Sequence, residues 1–404
     1  MDKKPEKLVP EVRFKGFTDD WEQRKLGENT MLITKGTTPY DKSNKGPINF
    51  IKVENIKNNT ISPSMHITEI ENDSHLSRSK LKENDILFSI AGTLGRTAIV
   101  TSNILPANTN QALAIIRGYN FNQQFLINYL SGRAVKNFIR QNPTIGAQPN
   151  LSLKQIKSFT ITAPNNDYEQ IKIGSLIKKL NNLVTLQQRK LKQLKQLKKA
   201  MLQQLFVDKN CKQPILRFKN FNDNWEERKL SDIANYRNGK AHEQYIDMNG
   251  IYTVVNSKFI STNGKVKKFS NKPIELLKKG EIAFVLSDVP NGKALAKTYL
   301  IDSDNKYSLN QRIAGITPSS DINSYFLYIL MNRNRYFLKF DDDVGQTNLS
   351  KKDIEKFKEN YPLFDEQQKI ANLFSKIQTL ITRQQNKLNQ LIALKKYLLQ
   401  NLFI

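Results

Sequence analysis

Apolar residues recur at alternating steps of three and four along two long stretches, 168–206 and 365–403, and this spacing predicts an amphipathic helix in each. The same apolar positions appear in both stretches at an offset of 197 residues, position 173 to position 370. Outside the helices, short β-rich runs between polar turns predict mixed α/β structure. Predicted strands are KVENI, DILFSIA and LAIIRG in the first half of the chain and YTVVNSKF, EIAFVLS and RIAGI in the second. Aromatic, helical-looking segments follow in each half.

The two apolar stripes predict their own pairing. A helix with one apolar stripe and a basic remainder cannot bury that stripe alone, and the nearest matching stripe is the duplicate. We therefore predict an antiparallel coiled coil, interrupted in each copy by a polar pair, Gln187-Gln188 and Gln384-Gln385. An intermolecular coiled coil making a homodimer is the rival interpretation, but intramolecular pairing has the higher effective concentration. The predicted seam positions are Ile173, Leu176, Leu180, Leu183, Leu191 and Leu194, with Ile370, Leu373, Ile377, Leu380, Leu388 and Leu391.

Repetition extends beyond the helices. PEVRFKGFTDDWEQRKL begins at position 10 and PILRFKNFNDNWEERKL at position 214, an offset of 204 residues, so the only two tryptophans are one position used twice. Solenoid repeats run to about 20–50 residues, so this period indicates duplication of a whole domain with its helix. The predicted fold is α+β, with two pseudo-twofold-related mixed α/β domains joined by two long antiparallel coiled-coil helices. The predicted segments are 1–149, 150–206, 207–347 and 348–404. The same symmetry predicts that the two chain termini lie close together.

Composition narrows the class of protein. The net charge of +26 suits a partner with extended negative charge. The alternatives are a merely soluble basic protein and a membrane-surface binder, but the latter would need the apolar helix faces that pairing already uses. The sequence contains no run of about 18 apolar residues, so we expect no transmembrane helix. A single cysteine excludes an internal disulfide framework. Three histidines without ligand spacing make a metal site unexpected. We expect a cytoplasmic protein.

Candidate contact chemistry lies in the turns. Glycine turns in GTLGRT and DVPNGKA each present a cation suited to phosphate, although an ordinary hairpin turn explains them equally well. In the polar loops, Arg and Lys can read guanine and Asn or Gln can read adenine, with solvated loop polarity as the alternative. The candidate nucleic-acid contacts are Lys35, Thr37, Thr38, Tyr40, Lys42, Lys45, Arg96, Asn110 and Gln111, and then Arg237, Lys240, Lys258, Lys293, Asn310, Gln311 and Arg312.

Catalytic motifs are absent from the sequence. It contains no G-x-G-x-x-G, no Walker A loop, no nucleophile elbow and no Pro-Pro pair, so the [DNS]-P-P-[YFW] motif of an adenine amino-methyltransferase is missing. We identify no active site and expect a protein that is not an enzyme.

An ordered set of motifs occurs in both copies: WEQRKLGE and WEERKLSD, DILFS before a glycine turn, Asn-Gln before a strand, and QPNLSLKQI or QTNLSKKDI before an EQ pair. This set resembles the DNA-specificity subunit of type I restriction–modification systems over nearly the whole chain. The resemblance implies a non-catalytic reader, in which each globular unit is a target-recognition domain for one half of a bipartite, asymmetric DNA site. The variable segments 29–80 and 233–276 would carry the contacts.

The same resemblance implies the partners. The helices would set the spacer and dock two methyltransferase subunits, which bring S-adenosylmethionine and modify adenine at N6. Up to two restriction subunits would bring ATP and magnesium, and this chain itself would bind no cofactor. Two alternatives remain: a coiled-coil adaptor that binds nucleic acid without sequence preference, and a self-sufficient methyltransferase, which S-adenosylmethionine binding to the isolated chain would reveal.

Overall fold

The computed structural model describes residues 8–41, 43–141, 150–208, 211–289, 292–341 and 344–404. The chain forms two compact units: unit 1 comprises 1–189 with 385–404, and unit 2 comprises 190–384. Each unit therefore contains one globular module, the beginning of one long helix and the end of the other, which is the distribution that an antiparallel pair produces. Within the described residues, no helix is long and apolar enough to cross a membrane.

The described residues of the first module form short strands, four short α-helices and one long helix. Its strands are β1 (Glu22–Lys25), β2 (Thr30–Lys35), β3 (Ile48–Ile51), β4 (Ile56–Lys57), β5 (Thr60–Ile61), β6 (Met65–Ile67), β7 (Ile86–Ser89), β8 (Thr97–Ile99), β9 (Ala107–Thr109), β10 (Leu113–Tyr119) and β11 (Thr160–Ala163). Its helices are α1 (Glu69–Asp73), α2 (Gln123–Leu130), α3 (Arg133–Gln141), α4 (Leu153–Lys157) and the long α5 (Asp167–Leu205).

The second module has a similar but not identical order of elements. Its strands are β12 (Glu226–Lys229), β13 (Ala234–Asn238), β14 (Tyr252–Val255), β15 (Phe269–Ser270), β16 (Leu276–Leu277), β17 (Ile282–Val285), β18 (Ser287–Asp288), β19 (Thr298–Leu300), β20 (Tyr307–Leu309), β21 (Ile313–Pro318), β22 (Thr347–Asn348) and β23 (Lys358–Tyr361). Its helices are α6 (Leu230–Ile233), α7 (Ser257–Ser261), α8 (Ser324–Met331), α9 (Arg335–Leu338), α10 (Lys351–Glu355) and the long α11 (Phe364–Asn401).

Equivalent sheets form in both modules. The antiparallel order β2-β10-β7-β8 in the first matches β13-β21-β17-β19 in the second. A second sheet, β6-β3-β9, matches β15-β14-β20-β16, and both contain one parallel pair, β3 with β9 and β14 with β20. The variable segments contribute to this second sheet, so its topology is retained where the two sequences barely align. The predicted mixed α/β modules are confirmed.

Most predicted strands are observed, one is misplaced, and one ends early: YTVVNSKF contains β14, but Ser257–Ser261 form the helix α7. DILFSIA contains β7, LAIIRG begins β10, and EIAFVLS contains β17. KVENI was predicted as a strand, but Val53–Asn55 form a 3-10 turn and the buried strand β3 lies just before it. The reason is local: the Asn55 side chain accepts a hydrogen bond from the Lys52 N–H and donates to the Ser62 carbonyl, which closes a turn.

Repeated motifs tie each module to its long helix. Trp21 and Trp225 are buried in the core of their own module. The arginine of each RF motif forms a two-point ion pair with a buried glutamate in the first turn of the helix: Arg13 with Glu169 at 2.8 Å, and Arg217 with Glu366 at 2.8 Å. A carboxylate near a helix N-terminus is also stabilised by the helix dipole. The EQ pair is thus used to attach the module to its helix.

The glutamine of each EQ pair has an equally local role. Gln170 accepts from the backbone N–H of Asn122, the N-cap of α2, and donates to the Pro164 carbonyl. Gln367 does the same with Asn323 and Pro362. The preceding NLS motifs start α4 and α10 with capping boxes, in which a serine and the residue three positions later satisfy each other's backbone N–H groups.

The long helices have a continuous heptad seam rather than an interrupted one. Gln187 and Gln384 are buried within it, although they were predicted to interrupt it. Leu183 and Leu380, which were predicted to lie in the seam, are 44% and 49% exposed, while Ile381 is buried and Val184 half-buried. The buried and half-buried positions step by four and three without a break: Ile173, Ile177, Leu180, Val184, Gln187, Leu191, Leu194, Lys198, Met201 and Leu205, and at an offset of 197 Ile370, Phe374, Ile377, Ile381, Gln384, Leu388, Leu391, Lys395, Leu398 and Leu402.

The physical reason for the correction is the period. A stripe chosen by apolar identity alone selects Leu183 and Leu380, the neighbours of the seam residues Val184 and Ile381, whereas a strict seven-residue repeat keeps one face buried and accepts a polar residue there. Leu176 and Leu373 are half-buried and flank this seam. Two seam positions in the repeat hold lysine, and burial lowers the pKa of both Lys198 and Lys395.

Residues near the two chain termini meet in unit 1, as the duplication predicted. The Val12 N–H donates to the Asn401 carbonyl at 3.0 Å, and the equivalent Leu216 N–H donates to the Gln204 carbonyl at 2.9 Å. Leu402 is buried in the first core and Leu205 in the second. The C-terminal end of each long helix is therefore attached in the same way, that of α11 to the first module and that of α5 to the second.

Candidate nucleic-acid interface

In the first module the loop after β2 meets the Asn-Gln turn. Gly36 lies against this turn so closely that a Cβ there would sit 2.0 Å from the Thr109 carbonyl oxygen. The Thr37 N–H donates to that same oxygen, and the Thr38 hydroxyl donates to the Gln111 side chain at 2.5 Å. Only glycine permits this approach, so it brings together two segments that are about 70 residues apart in sequence.

The second module repeats the junction with different side chains. Gly239 follows β13, and a Cβ there would sit 2.1 Å from the Asn310 carbonyl oxygen. The Lys240 N–H donates to the Leu309 carbonyl at 3.1 Å. The Gln311 amide then donates to the Glu243 carboxylate at 3.1 Å. In both modules the end of the strand, the glycine and the Asn-Gln turn thus form the same arrangement, which we call the frame. Each module presents its own loop from this frame.

The predicted contact residues differ in how far they are free to bind. Lys35, Lys45, Lys240, Lys258, Lys293, Gln311 and Arg312 are exposed, as are Thr38, Tyr40 and Gln111, while Thr37 is half-buried. Lys42 lies outside the described residues, as do residues 290–291 of the second glycine turn. The side chains of Asn110 and Asn310 accept backbone N–H groups within their own turns, which gives them a structural role.

Arg96 and Arg237 have structural partners. The Arg96 guanidinium donates to the carbonyl of Val53 at 3.0 Å, so it holds the turn that follows β3. Arg237 pairs with two carboxylates, Glu275 and the buried Glu281, and donates to the Leu276 carbonyl. A buried carboxylate requires a cation nearby, and this requirement accounts for Arg237 without any nucleic acid. Both arginines therefore have partners within their own module, whereas the candidate lysines that the structure describes are exposed, and one of them, Lys240, lies 3.3 Å from the Glu275 carboxylate.

Three residues that contact these loops and turns were not among the predicted contact residues. Glu71 and His75 brace the loop of the first module, and Glu243 faces the Asn-Gln turn of the second. The i,i+4 spacing of Glu71 and His75 in EIENDSH was the available sequence signal. His242 is buried, with its ring nitrogens 2.7 Å from the Lys240 carbonyl and from the Ser308 hydroxyl, so it supports the second loop from beneath.

Among the described residues, no cluster of three or more His, Cys, Asp or Glu side chains is arranged to hold a metal ion. The exposed groups of both loops include amides, hydroxyls, ammonium groups and the carboxylates of Asp41 and Glu243, which donate or accept hydrogen bonds. One duplicated frame thus carries two unlike polar surfaces.

Comparison with known proteins identifies the class. The family model "Type I restriction modification DNA specificity domain" matches residues 18–196 and again residues 222–393. The chain belongs to this family, and it contains the domain twice.

Relatives and solved structures agree with this. A Methanocaldococcus jannaschii protein assigned as the specificity subunit of the type I restriction enzyme MjaX is 21% identical over 94% of this chain and 91% of its own length. The crystal structure of the type I restriction–modification S subunit from M. genitalium matches with a TM-score of 0.67 at 16% identity, covering 98% of this chain and 99% of that one. A structure from work on complex assembly and conformational transition of the type I system matches with a TM-score of 0.54 at 14% identity, covering 95% and 97%. The predicted specificity-subunit family and the duplicated fold are confirmed.

Proposed function

We propose that each module reads one half of a bipartite, asymmetric DNA sequence and that the chain delivers methyltransferase partners to it. The observation that carries this proposal is the shared frame with unlike loops: the same glycine and Asn-Gln junction presents Thr38 and Tyr40 in one module and Lys240 and Glu243 in the other. Two copies of one reader with different contact groups recognise two different half-sites. The net charge of +26 supplies the sequence-independent attraction to phosphate.

The test is a selection from random duplex DNA by the full chain, co-expressed with the methyltransferase subunit of its own system. We expect the bound pool to contain two short, unlike base patterns at one fixed separation. A pool without enrichment, at a salt concentration where binding is still measurable, would mean that the chain is an adaptor without sequence preference. The same preparation without the partner should bind no S-adenosylmethionine.

The long helices, in this proposal, set the separation of the half-sites. α5 and α11 are continuous over 39 and 38 residues, each about 57 Å long at about 1.5 Å per residue. Modules that read one face of B-DNA need centres about 34 Å apart or a multiple of that distance. Helices of this length are therefore on the scale of a spacer.

A heptad insertion tests the spacer. Seven residues added after Gln187 and seven after the equivalent Gln384 lengthen each helix by about 10 Å while preserving the seven-residue seam. The unspecified spacer should grow by roughly three base pairs at about 3.4 Å each, and both half-sites should stay the same. A four-residue insertion in α5 alone is the control, because it breaks the seam and should impair folding. An unchanged spacer in the heptad variant would remove the helices from this role.

The methyltransferase subunits dock, in this proposal, on exposed leucines beside the seam. Leu183 and Leu394 lie in unit 1, and their equivalents Leu380 and Leu197 lie in unit 2. All four are between 43% and 49% exposed. Apolar side chains repeated in this way on an otherwise basic helix favour a protein partner. Their duplication favours two copies of that partner, one for each unit.

Charge substitution tests the docking. Leu183→Asp with Leu380→Asp should reduce co-purification of the methyltransferase subunit, because a carboxylate cannot be buried at an apolar contact without large cost. Leu216→Asp is the matched control, since Leu216 is 41% exposed and lies outside the long helices. Restriction subunits with ATP and magnesium would join the same complex in the cytoplasm. Normal co-purification of the double variant, or an equal loss with Leu216→Asp, would contradict this surface.

A further inference from the structure

The recognition loop of the first module, described over residues 36–41 and 43–45, is braced by one buried carboxylate. Glu71 lies in α1 and is 8% exposed, and its Oε1 atom accepts the backbone N–H groups of both Tyr40 and Asp41, the latter at 2.9 Å. The Thr68 hydroxyl caps α1 by accepting the Glu71 N–H at 3.2 Å. Two consecutive backbone groups of an exposed loop are thus fixed to a capped helix, which removes the freedom that a surface loop ordinarily has.

The side chain at the tip of this loop is fixed as well. The Tyr40 ring stacks on His75, with ring centroids 4.0 Å apart and an interplanar angle of 20°. The His75 Nε2 atom lies 3.3 Å from the Thr38 carbonyl and 3.9 Å from the Glu71 carboxylate. Tyr40 nevertheless remains 82% exposed. A large aromatic ring held rigidly in solvent loses little entropy when it binds, which is the property of a recognition side chain.

The brace and the Asn-Gln turn belong to the same frame. Asn72, the neighbour of Glu71 in α1, accepts from the buried Asn108 amide at 3.0 Å. Asn108 in turn accepts the N–H of Thr109, the residue before the turn, at 2.8 Å. Gln111 of the turn meets Thr38 of the loop. Tyr40, Thr38 and Gln111 therefore form one surface of defined geometry in the first module.

We propose that Tyr40 is a specificity-determining residue of the first module and that its ring contacts a thymine, with Glu71 and His75 as positioning residues. This inference rests on the proposed function, since it assigns a contact within that interface. In the major groove the apolar feature that distinguishes a base pair is the C5-methyl group of thymine. The ring is the large apolar group of a surface whose other members, Thr38 and Gln111, are polar and suited to neighbouring hydrogen-bonding edges.

The second module gives this proposal an internal contrast. Its equivalent loop presents the exposed carboxylate of Glu243 beside Gln311. A carboxylate accepts a hydrogen bond from the cytosine amino group and makes no use of a methyl group. A change at Tyr40 therefore affects one half-site only.

The experiment measures competition binding by the full chain with its methyltransferase partner. Duplexes carry the selected site, with each thymine replaced in turn by deoxyuridine, which lacks the methyl group. For the native chain, one replacement should weaken binding roughly five- to tenfold. Tyr40→Ala should lose the same factor on the thymine duplex and show no further loss on the deoxyuridine duplex, whereas Tyr40→Phe should behave as the native chain. The slope of affinity against salt should not change, because no phosphate contact is removed.

Positioning by Glu71 needs its own readout. Glu71→Ala should lose the thymine preference, and Glu71→Gln should restore most of it, because the amide oxygen still accepts the loop N–H groups. Glu69→Ala and Tyr168→Ala are the matched controls: both residues are exposed in the first module, and neither forms a hydrogen bond, an ion pair or a ring contact with the described residues of the loop. The unfolding midpoint of Tyr40→Ala should stay within about 2 °C of the native value, as for other exposed positions.

Two results would overturn the proposal. One is a Tyr40→Ala chain that keeps the full deoxyuridine penalty, and the other is an equal loss of affinity for every DNA sequence. A native chain that selects no sequence at all would instead overturn the proposed function, and this contact with it. A native chain that selects a site but has no deoxyuridine-sensitive position in the half-site affected by Tyr40→Ala would overturn the thymine contact alone.

Discussion

The two modules solve one structural problem with different residues. Each buries a carboxylate after the LK turn that precedes its central strand: Asp85 in the first module and Glu281 in the second. In the first, Arg117 on β10 supplies the cation, and the hydrogen bond with Asp85 raises the pKa of Arg117. In the second, the cation is Arg237 on β13, which is the equivalent of β2 and not of β10.

This difference shows what the frame requires. Each module requires a cation beside its buried carboxylate. A neighbouring strand supplies that cation, but it is not the equivalent strand in the two modules. The loops are less constrained, because side chains such as the braced Tyr40 of the first module and Glu243 of the second face solvent. Structure is therefore shared between the modules through physical requirements, and recognition differs through the residues that those requirements leave free.

The largest expected effect comes from exchanging the free residues. Replacing segment 29–80 with the equivalent segment of a relative that reads another half-site should change one half of the recognised sequence and leave the other half and the spacer unchanged. Binding to the original site should fall more than about thousandfold, since each mismatched base pair costs about 1–3 kcal/mol. Selection from random DNA measures both halves at once.

The reciprocal exchange of 233–276 is the control and should change the opposite half. If either exchange altered both halves, or the spacer, the modules would not be independent readers. If neither altered any base, the specificity would lie in the shared frame, contrary to the comparison above.

A smaller effect is expected from breaking the frame of the second module. Arg237→Ala leaves the buried Glu281 without its cation, and because the Arg237 side chain is 31% exposed we expect a loss of about 2–3 kcal/mol in the free energy of unfolding. Arg117→Ala should cost a similar amount, although the two arginines do not align. Urea unfolding measures both. At a temperature where the variant remains folded, the salt dependence of DNA binding should be unchanged. A drop of about 0.9 in the slope of log affinity against log salt concentration would instead mean that Arg237 contacts phosphate.

The sequence predicted those features that depend on periodicity and repetition. The helices expected over 168–206 and 365–403 are observed at Asp167–Leu205 and Phe364–Asn401, because their heptad pattern is long and occurs twice. Both tryptophans are buried and both EQ pairs make equivalent hydrogen bonds, whereas the Asn-Gln turns recur with different side-chain partners, Thr38 in the first module and Glu243 in the second. The polar loop and the Asn-Gln turn were both singled out, and the structure brings them together at Gly36 and Gly239.

What sequence could not supply was the partner of each charged residue. Arg237 and Arg96 are of a residue type that contacts phosphate. Only the folded positions of Glu281 and Val53 show that each arginine has a structural partner within its module. Glu71 and His75 were overlooked for the converse reason, since their importance comes from a loop about 30 residues earlier in the sequence. The seam was misread at Leu183 because a polar residue, Gln187, occupies the buried position one turn later.

The smallest expected effect compares the two seam lysines. Lys198 donates to the Gln378 side chain at 2.7 Å in unit 2. At the equivalent positions in unit 1 stand Lys395 and Asn181, and among the described residues the buried Asn181 Oδ1 atom has no hydrogen-bond partner. Asparagine is one methylene shorter than glutamine, so Asn181→Gln should complete the bond and raise the free energy of unfolding by about 0.5–1 kcal/mol.

Gln378→Asn should lower the free energy of unfolding by a similar amount, and the double exchange should nearly cancel if the two units are equivalent here. Urea midpoints at unchanged m-values measure the difference. The completed bond would also favour the charged ammonium group, so in Asn181→Gln the lowered pKa of Lys395 should move back toward its ordinary value. A stability change with no change in that titration would mean that the longer side chain acts by packing, and the two units would then differ in more than one methylene.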